Sequence, residues 1–318
     1  MTQQGGAQPS HSIAPTATAS PRPEPQAAQI VLEHVTPTRA AIRRFRRHRL
    51  ALVGLVIVIT VIILAICAPL LTDWPPNKID FVTGSRQPPS ALHPLGTDVS
   101  GRDVWSRLLY GARTSVIVGF GAVALYLVIG TLLGLLAGFY GRYVDQGIMR
   151  FTDTIMAIPA LLLIIVFVSM VGPSIGSVIV VIGLLGWPVT CRLVRGQLLV
   201  LRESEYITAA RVVGVDDRTI LFRHMLPNIL GPLTVVATFG IASAIILESS
   251  LSFLGLGVRA PEASWGNLIT EATSPVVLNQ LWWQWLPAAI AITLMVLGVN
   301  FIGDGLRDAL DPKTIKRG

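Results

Sequence analysis

The sequence predicts an all-α polytopic membrane protein with six transmembrane helices, and three observations predict it. The chain of 318 residues is 52% hydrophobic and only 14% charged, where soluble domains carry about 25% charged residues. Its apolar residues, which give a mean hydropathy of +0.63, gather into five or six long charge-free stretches for which one soluble domain of this length has no use. Basic residues collect at the ends of those stretches, so the net charge of +7 reads as a topology signal rather than as nucleic-acid binding.

Taken in order, residues 1–38 are rich in Pro, Ala, Gln, Ser and Thr and lack an apolar period. They read as a disordered cytoplasmic tail, and with no apolar core near the start no signal peptide is expected there. Residues 39–71 join a basic collar to the first span. The collar sets Arg43, Arg44, Arg46, Arg47 and Arg49 around Ile42 and Phe45, as a topology anchor or an interfacial helix. Leu50–Leu71 is the first span, 22 residues without a charge. Residues 72–113 form an extracytoplasmic segment.

Residues 114–312 hold the other five spans. The second is Thr114–Phe139. Between Asp153 and Arg192 lie 38 uncharged residues, too many for one span, and Gly172 and Pro173 divide them into Thr154–Val171 and Ser174–Cys191. The fifth span covers about Asn228–Leu247 and the sixth about Leu286–Gly303, followed by a cytoplasmic tail at 313–318. With the N-terminus cytoplasmic, 19 of the 25 Lys and Arg residues fall on the cytoplasmic side, which places both termini inside. Six of the seven Trp residues fall on the outer side or its interface, with Trp187 at the inner belt.

Few residues carry chemistry. The only lysines are Lys78, Lys313 and Lys316, none follows a glycine, and so the chain lacks the phosphate-cradling loop of an ATP site. Cys67 and Cys191 sit singly in spans and read as buried thiols, with no metal expected. Gly172-Pro-Ser-Ile-Gly176 matches a nucleophile motif by chance, since it lies in a turn between spans. The five histidines are scattered, and His224 looks the most placed, as a packing or interface residue. Glu248, at the outer end of the fifth span, is either a pathway or gate residue or a headgroup-level residue that caps nearby backbone. Gly130, Gly134 and Gly138 recur on one face of the second span and read as a packing ridge.

The most informative stretch is the loop 192–228 between spans four and five. It reads Glu205-Tyr-Ile-Thr-Ala-Ala-Arg-Val-Val-Gly214, then Ile220, His224 and Leu226-Pro-Asn228. As a helix it shares Tyr206, Ile207, Ala210 and Val213 on one apolar face, with Glu203, Glu205 and Arg211 elsewhere. Gly214 ends the helix with positive φ, and Asp216 or Asp217 caps a second short helix that stops before Pro227. Such a unit suits a groove on a soluble partner, the membrane surface or its own chain.

This segment resembles the cytoplasmic "EAA" loop of ABC-importer permeases, with Thr208-Ala209-Ala210 and Gly214 at the pattern's positions and Thr in place of its first Glu. Glu205, three residues earlier, is the candidate substitute. His93-Pro-Leu-Gly-Thr-Asp98 with Gly101-Arg-Asp103, Tyr110-Gly-Ala-Arg-Thr-Ser115, Leu251-Ser-Phe-Leu-Gly-Leu-Gly257 and Pro261-Glu-Ala-Ser-Trp-Gly266 resemble the C-type permease of dipeptide, oligopeptide and nickel importers. The resemblance covers about residues 40–312. It implies a type I importer permease core that moves peptides, nickel or another small solute by alternating access, as half of a heterodimer with a homologous permease. It also implies two cytoplasmic ATPase subunits that bind the ATP and magnesium, an extracytoplasmic solute-binding protein, and no enzyme activity in this chain. Glu205, Thr208, Ala209, Ala210, Gly214, Ile220, Leu226 and Pro227 would couple it to an ATPase. The competing readings are a stand-alone channel or secondary transporter, which needs mid-membrane charges these spans lack, a membrane-embedded enzyme, and a scaffold.

Overall fold

The computed structural model describes residues 37–259 and 261–310, and among them the elements are helical, with two isolated β-bridges and no named strand. Residues 1–36 of the expected tail and the expected C-terminal tail at 313–318 lie outside the described residues. Helix α1 (Pro37–Phe45) carries most of the collar. His48 caps α2 (Arg49–Ile66), its Nδ1 accepting the Ala51 amide at 3.1 Å. The first span was expected to run to Leu71, but it breaks at Cys67, after which α3 (Ala68–Leu71) restarts with a proline in its first turn. Pro69 has no N–H to give the preceding turn, which is where a helix renews rather than continues.

Asp103 caps α4 (Val104–Tyr140), accepting the Ser106 amide at 2.7 Å, so this helix begins at Val104 rather than Thr114. Its 37 residues span about 55 Å, well beyond the hydrocarbon thickness of about 30 Å. The last part of the segment expected as extracytoplasmic, Val104–Arg113, is therefore helix, while residues 72–103 are irregular. The third span departs most from expectation. Instead of one helix over Thr154–Val171, α5 (Arg142–Met156) and α6 (Ala160–Val171) meet at 84°. Pro159 sits at the bend and cannot donate across it. Among the described residues five helices are thus long and apolar enough to cross a membrane unbroken, and six spans result when the bent pair counts as one.

Ser174 and Ser177 form a reciprocal capping box that starts α7 (Ile175–Arg202) after Gly172, whose φ of 93° ends α6. Helix α7 runs past the expected end at Cys191 because its first charges are paired. Arg192 bonds Asp153 at 2.5 Å and Arg195 grips Asp145 through both of its carboxylate oxygens, all on α5. There follow α8 (Glu205–Val212), α9 (Asp217–Thr219), a π-helical turn at Ile220–Met225 and α10 (Leu226–Phe253). Helices α11 (Trp265–Thr270), α12 (Pro275–Gln280) and α13 (Leu286–Leu310) complete the described residues, with short 3-10 turns beside α12.

The core is organised by α4, which packs against α7 along its length and also meets α2, α5, α10 and α11. The glycine ridge makes this possible. A Cβ at Gly130 would stand 2.7 Å from the Trp187 carbonyl oxygen, and one at Gly134 2.8 Å from that of Cys191 and 2.7 Å from Val194 Cβ. One at Gly138 would meet Leu198 Cβ at 2.7 Å, so three successive turns of α4 lie against α7 at backbone distance.

Gly134→Val should therefore lower the melting temperature of the detergent-solubilised protein, since overpacking such a contact costs about 1–3 kcal/mol. Gly147→Val, on α5 with nothing within 4 Å of the new Cβ, should leave the backbone packing unstrained and serves as the control. Equal melting curves for the two variants would refute the close-contact account.

Candidate functional site

The loop between α7 and α10 folds as a knob at one end of the bundle. Ser204 precedes α8, and Glu205 stands exposed in its first turn, making no ion pair among the described residues. Thr208 is exposed and its hydroxyl donates to the Ser204 carbonyl at 3.2 Å, so the residue at the pattern's Glu position serves its own helix. The helix closes at Gly214, whose φ is +83°, with the Val215 amide donating to the Ala210 carbonyl at 3.0 Å. A left-handed residue at that position costs glycine nothing and most other residues about 1 kcal/mol or more.

The apolar face expected on α8 is divided between two destinations. Ile207 is fully buried and, with half-buried Ala210, packs into a cluster formed by Leu135 and Phe139 of α4, Leu198 of α7, and Ile220 and Met225 of the π-turn. Val212 and Val213, by contrast, are 83% and 82% exposed, with Tyr206 and Phe222 also open. Val213 keeps the helical register, its amide donating to the Ala209 carbonyl at 3.1 Å, and so falls in line with exposed Tyr206 two turns back rather than with Ile207. The knob thus anchors itself through Ile207, Ala210 and Ile220 and presents Tyr206, Ala209, Val212 and Val213 outward.

Asp216 caps the next turn, accepting the Thr219 amide at 3.0 Å, and hydrogen bonds from Thr219 hold its carboxyl below the usual carboxylate range. The second helix does not stop before Pro227. It passes through the π-turn directly into α10, where Leu226 is half-buried and Pro227 is exposed immediately after the π-turn. His224 is half-buried beside them, with its carbonyl accepting from Asn228 at 2.6 Å.

Glu248 is fully buried. Its carboxyl group accepts from Ser252 at 2.8 Å and from Ser115 of α4 at 3.1 Å, and the Ser264 hydroxyl that caps α11 lies 3.5 Å from Ser252. A buried charge-bearing group is tolerable only when its oxygens are bonded, and the serines supply that. Among the described residues Glu248 faces this junction of α4, α10 and α11, not an open groove. An open groove of about 370 Å³ does lie nearby, among α4, α7 and α10, lined by Tyr126, Gly186, Thr190, Phe239, Gly240 and Ser243. The Thr190 hydroxyl there is buried without a partner among the described residues.

The segment before α4 is tied down by residues of the His93–Asp103 motif together with Asp80 and Glu271, which no motif included. His93, fully buried, places Nδ1 2.9 Å from Asp103 and Nε2 3.2 Å from Asp80, with Trp74 tilted against its ring at 4.7 Å. Asp98 accepts from Arg102 at 2.7 Å, lies 3.4 Å from Arg107, and Arg102 reaches Glu271 at 3.8 Å. Burial raises the Glu271 carboxyl above its ordinary value, with Asp98 adding to the effect. Hydrogen bonds from Thr83, Val82 and His93 hold Asp80 well below the usual range. His93 thus proves the most enclosed described histidine. The pairing Asp80–His93–Asp103 spans irregular chain, where no periodicity announces it.

Residues 130–316 match the family described as the binding-protein-dependent transport system inner membrane component, and residues 36–89 match the N-terminal transmembrane domain of oligopeptide transport permease C. A dipeptide transport system permease protein of Alkalihalophilus pseudofirmus is 43% identical over 300 residues, covering 92% of this chain and 94% of that one. A putative peptide permease of Brucella suis is 44% identical over 277 residues, 87% and 91% of the two chains. A putative peptide transport system permease of Brucella abortus is 43% identical over 278 residues, 87% and 93%.

His93→Leu should strip two buried carboxylates of their shared partner and lower the melting temperature by roughly 5 °C or more. Because the Asp80 pKa is depressed in the folded protein, its contribution is full above the ordinary carboxylate range and is lost as pH falls through the lower folded value. The wild-type advantage should accordingly shrink in strong acid, and a deficit absent at neutral pH would contradict the role given to His93.

Proposed function

This chain belongs to the ABC-importer inner-membrane permeases, in the C-type branch of the peptide transporters, and from that membership we propose that it supplies one half of the transmembrane pathway of an ATP-driven peptide importer. The observation that carries the mechanism is the knob at Glu205–Val215, folded on its own core yet presenting Val212 and Val213 almost fully exposed. Exposed apolar residues on a rigid, small-residue platform suit insertion into a cleft of a soluble partner. That partner is one of two cytoplasmic ATPase subunits, which bind ATP and magnesium in place of the phosphate loop this sequence lacks.

Closure of the ATPase pair shifts the knob, and the pathway alternates between inward and outward access. A homologous permease completes the pathway, and an extracytoplasmic solute-binding protein delivers the peptide to the outer mouth. The groove among α4, α7 and α10 is this chain's share of the path. Its hydroxyls at Tyr126, Thr190 and Ser243 can exchange hydrogen bonds with peptide groups, while Phe239 and Val189 keep the wall otherwise apolar. Both termini lie on the cytoplasmic side, in keeping with the excess of Lys and Arg there. Relatives described as dipeptide and peptide permeases favour peptides over nickel or another small solute.

Purification from native membranes in mild detergent should bring down a second permease and two ATPase chains, and the complex in liposomes should take up peptides only with ATP. Recovery of this chain alone under conditions that keep known complexes together would point instead to a self-sufficient channel. Val212→Asp with Val213→Asp should reduce ATP-driven uptake at least tenfold, as expected when a buried interface centre loses more than about 1.4 kcal/mol, with insertion unchanged. Glu248→Gln, which keeps the size and most bonds of its cradle, should reduce uptake less. Normal uptake by the double variant would remove the knob from the coupling path.

A further inference from the structure

We infer that the arginine collar at the foot of α2 is a binding site for the phosphate headgroup of an anionic phospholipid, with Ile42 carrying the lipid's apolar portion. Three observations converge on this. First, Arg43, Arg44, Arg46, Arg47 and Arg49 fall within one short segment, and among the described residues none of them forms an ion pair. The nearby Asp308 carboxylate faces His48, at 3.5 Å, instead. Second, Ile42, Arg43, Arg46 and Arg47 line one surface concavity of about 360 Å³, in which Ile42 is 60% exposed. Third, the collar is held in place. Helix α1 packs on α13, with the Phe45 ring over Gly305, and only three residues separate it from the start of α2.

That position fixes the chemistry of the occupant. Immediately beyond the collar, Leu50, Val53 and Val56 of α2 are exposed side chains that face hydrocarbon in a membrane-spanning helix. The arginines therefore stand at the level of the headgroups. Guanidinium groups match phosphate oxygens two at a time, and Arg43, Arg46 and Arg47 share one concavity instead of being spread around the segment. A nucleic acid or an acidic peptide would use the arginines but leave Ile42 in water. An anionic phospholipid uses both, and its acyl chains continue along the exposed face of α2.

The test uses the intact complex, purified in mild detergent and offered phosphatidylglycerol and phosphatidylcholine in equal amounts, with bound lipid counted by native mass spectrometry. The wild type should retain phosphatidylglycerol in preference. R43Q/R46Q/R47Q should lose it roughly a hundredfold, at about fivefold per arginine. The variant R43K/R46K/R47K keeps the charge that sets topology but replaces each fork with a point charge, and it should bind severalfold more weakly than the wild type. Equal retention of the two lipids, or undiminished retention by the lysine variant, would reduce the collar to a topology anchor and overturn the site. Release of bound phosphatidylglycerol by excess inorganic phosphate would assign the pocket to free phosphate and overturn it as well. Should the glutamine variant fail to insert, the lysine variant alone decides.

Discussion

Helices α4 and α7 touch at backbone distance, and the rest of the bundle is arranged around that contact. In an apolar solvent two helices gain nothing from hiding aliphatic side chains from lipid, so close dispersion contact must hold them together. Gly130, Gly134 and Gly138 supply it by removing the side chains that would keep the axes apart. With α7 fixed on one flank, α4 offers its others to α2, α5, α10 and α11. The Glu248 cradle depends on this arrangement, because Ser115 of α4 reaches the carboxyl only when α4 and α10 are held in register. The knob depends on it too, since Leu135, Phe139 and Leu198 of the same pair receive Ile207.

How much of this the sequence disclosed follows from where each feature's information lies. Long uncharged runs report burial in lipid directly, so α2, α10 and α13 were legible, as was the glycine ridge with its spacing of four. Helix ends were less so. The sequence reader stops a span at the first charge, whereas Arg192 and Arg195 continue α7 because Asp153 and Asp145 wait for them on α5, one turn of bundle away. The bend at Pro159 was hidden by a run of apolar residues whose composition is the same whether the helix is straight or folded at 84°.

The sites divide in the same way. Gly214 and the Asp216 cap were readable because turn chemistry is local. The division of α8 into a buried Ile207 and an exposed Val213 was not, for a hydrophobic face tells that something covers it but not what. The pairing of His93 with Asp80 and Asp103 joins positions in irregular chain, and the hydroxyl of Thr190 acquires meaning only once Tyr126 and Ser243 are known to stand across from it. Each of these requires the fold before the residues can be grouped.

The passage of α9 through a π-helical turn into α10 has a mechanical consequence. From Asp217 to Phe253 the chain is one helical rod of 37 residues, about 55 Å from end to end, with the knob's Ile220 near its start and the Glu248 cradle near its finish. A rod of this kind does not absorb a shove at one end; it delivers it to the other as tilt or slide. Its hydrogen-bond ladder changes pitch at the π-turn, seated in the cluster around Ile207, and loses a donor at Pro232 inside α10, so these two irregular points both lie toward the knob end. Were the Ile220 end of this rod displaced, the Glu248 end would tilt or slide with it, because one backbone hydrogen-bond ladder joins the two.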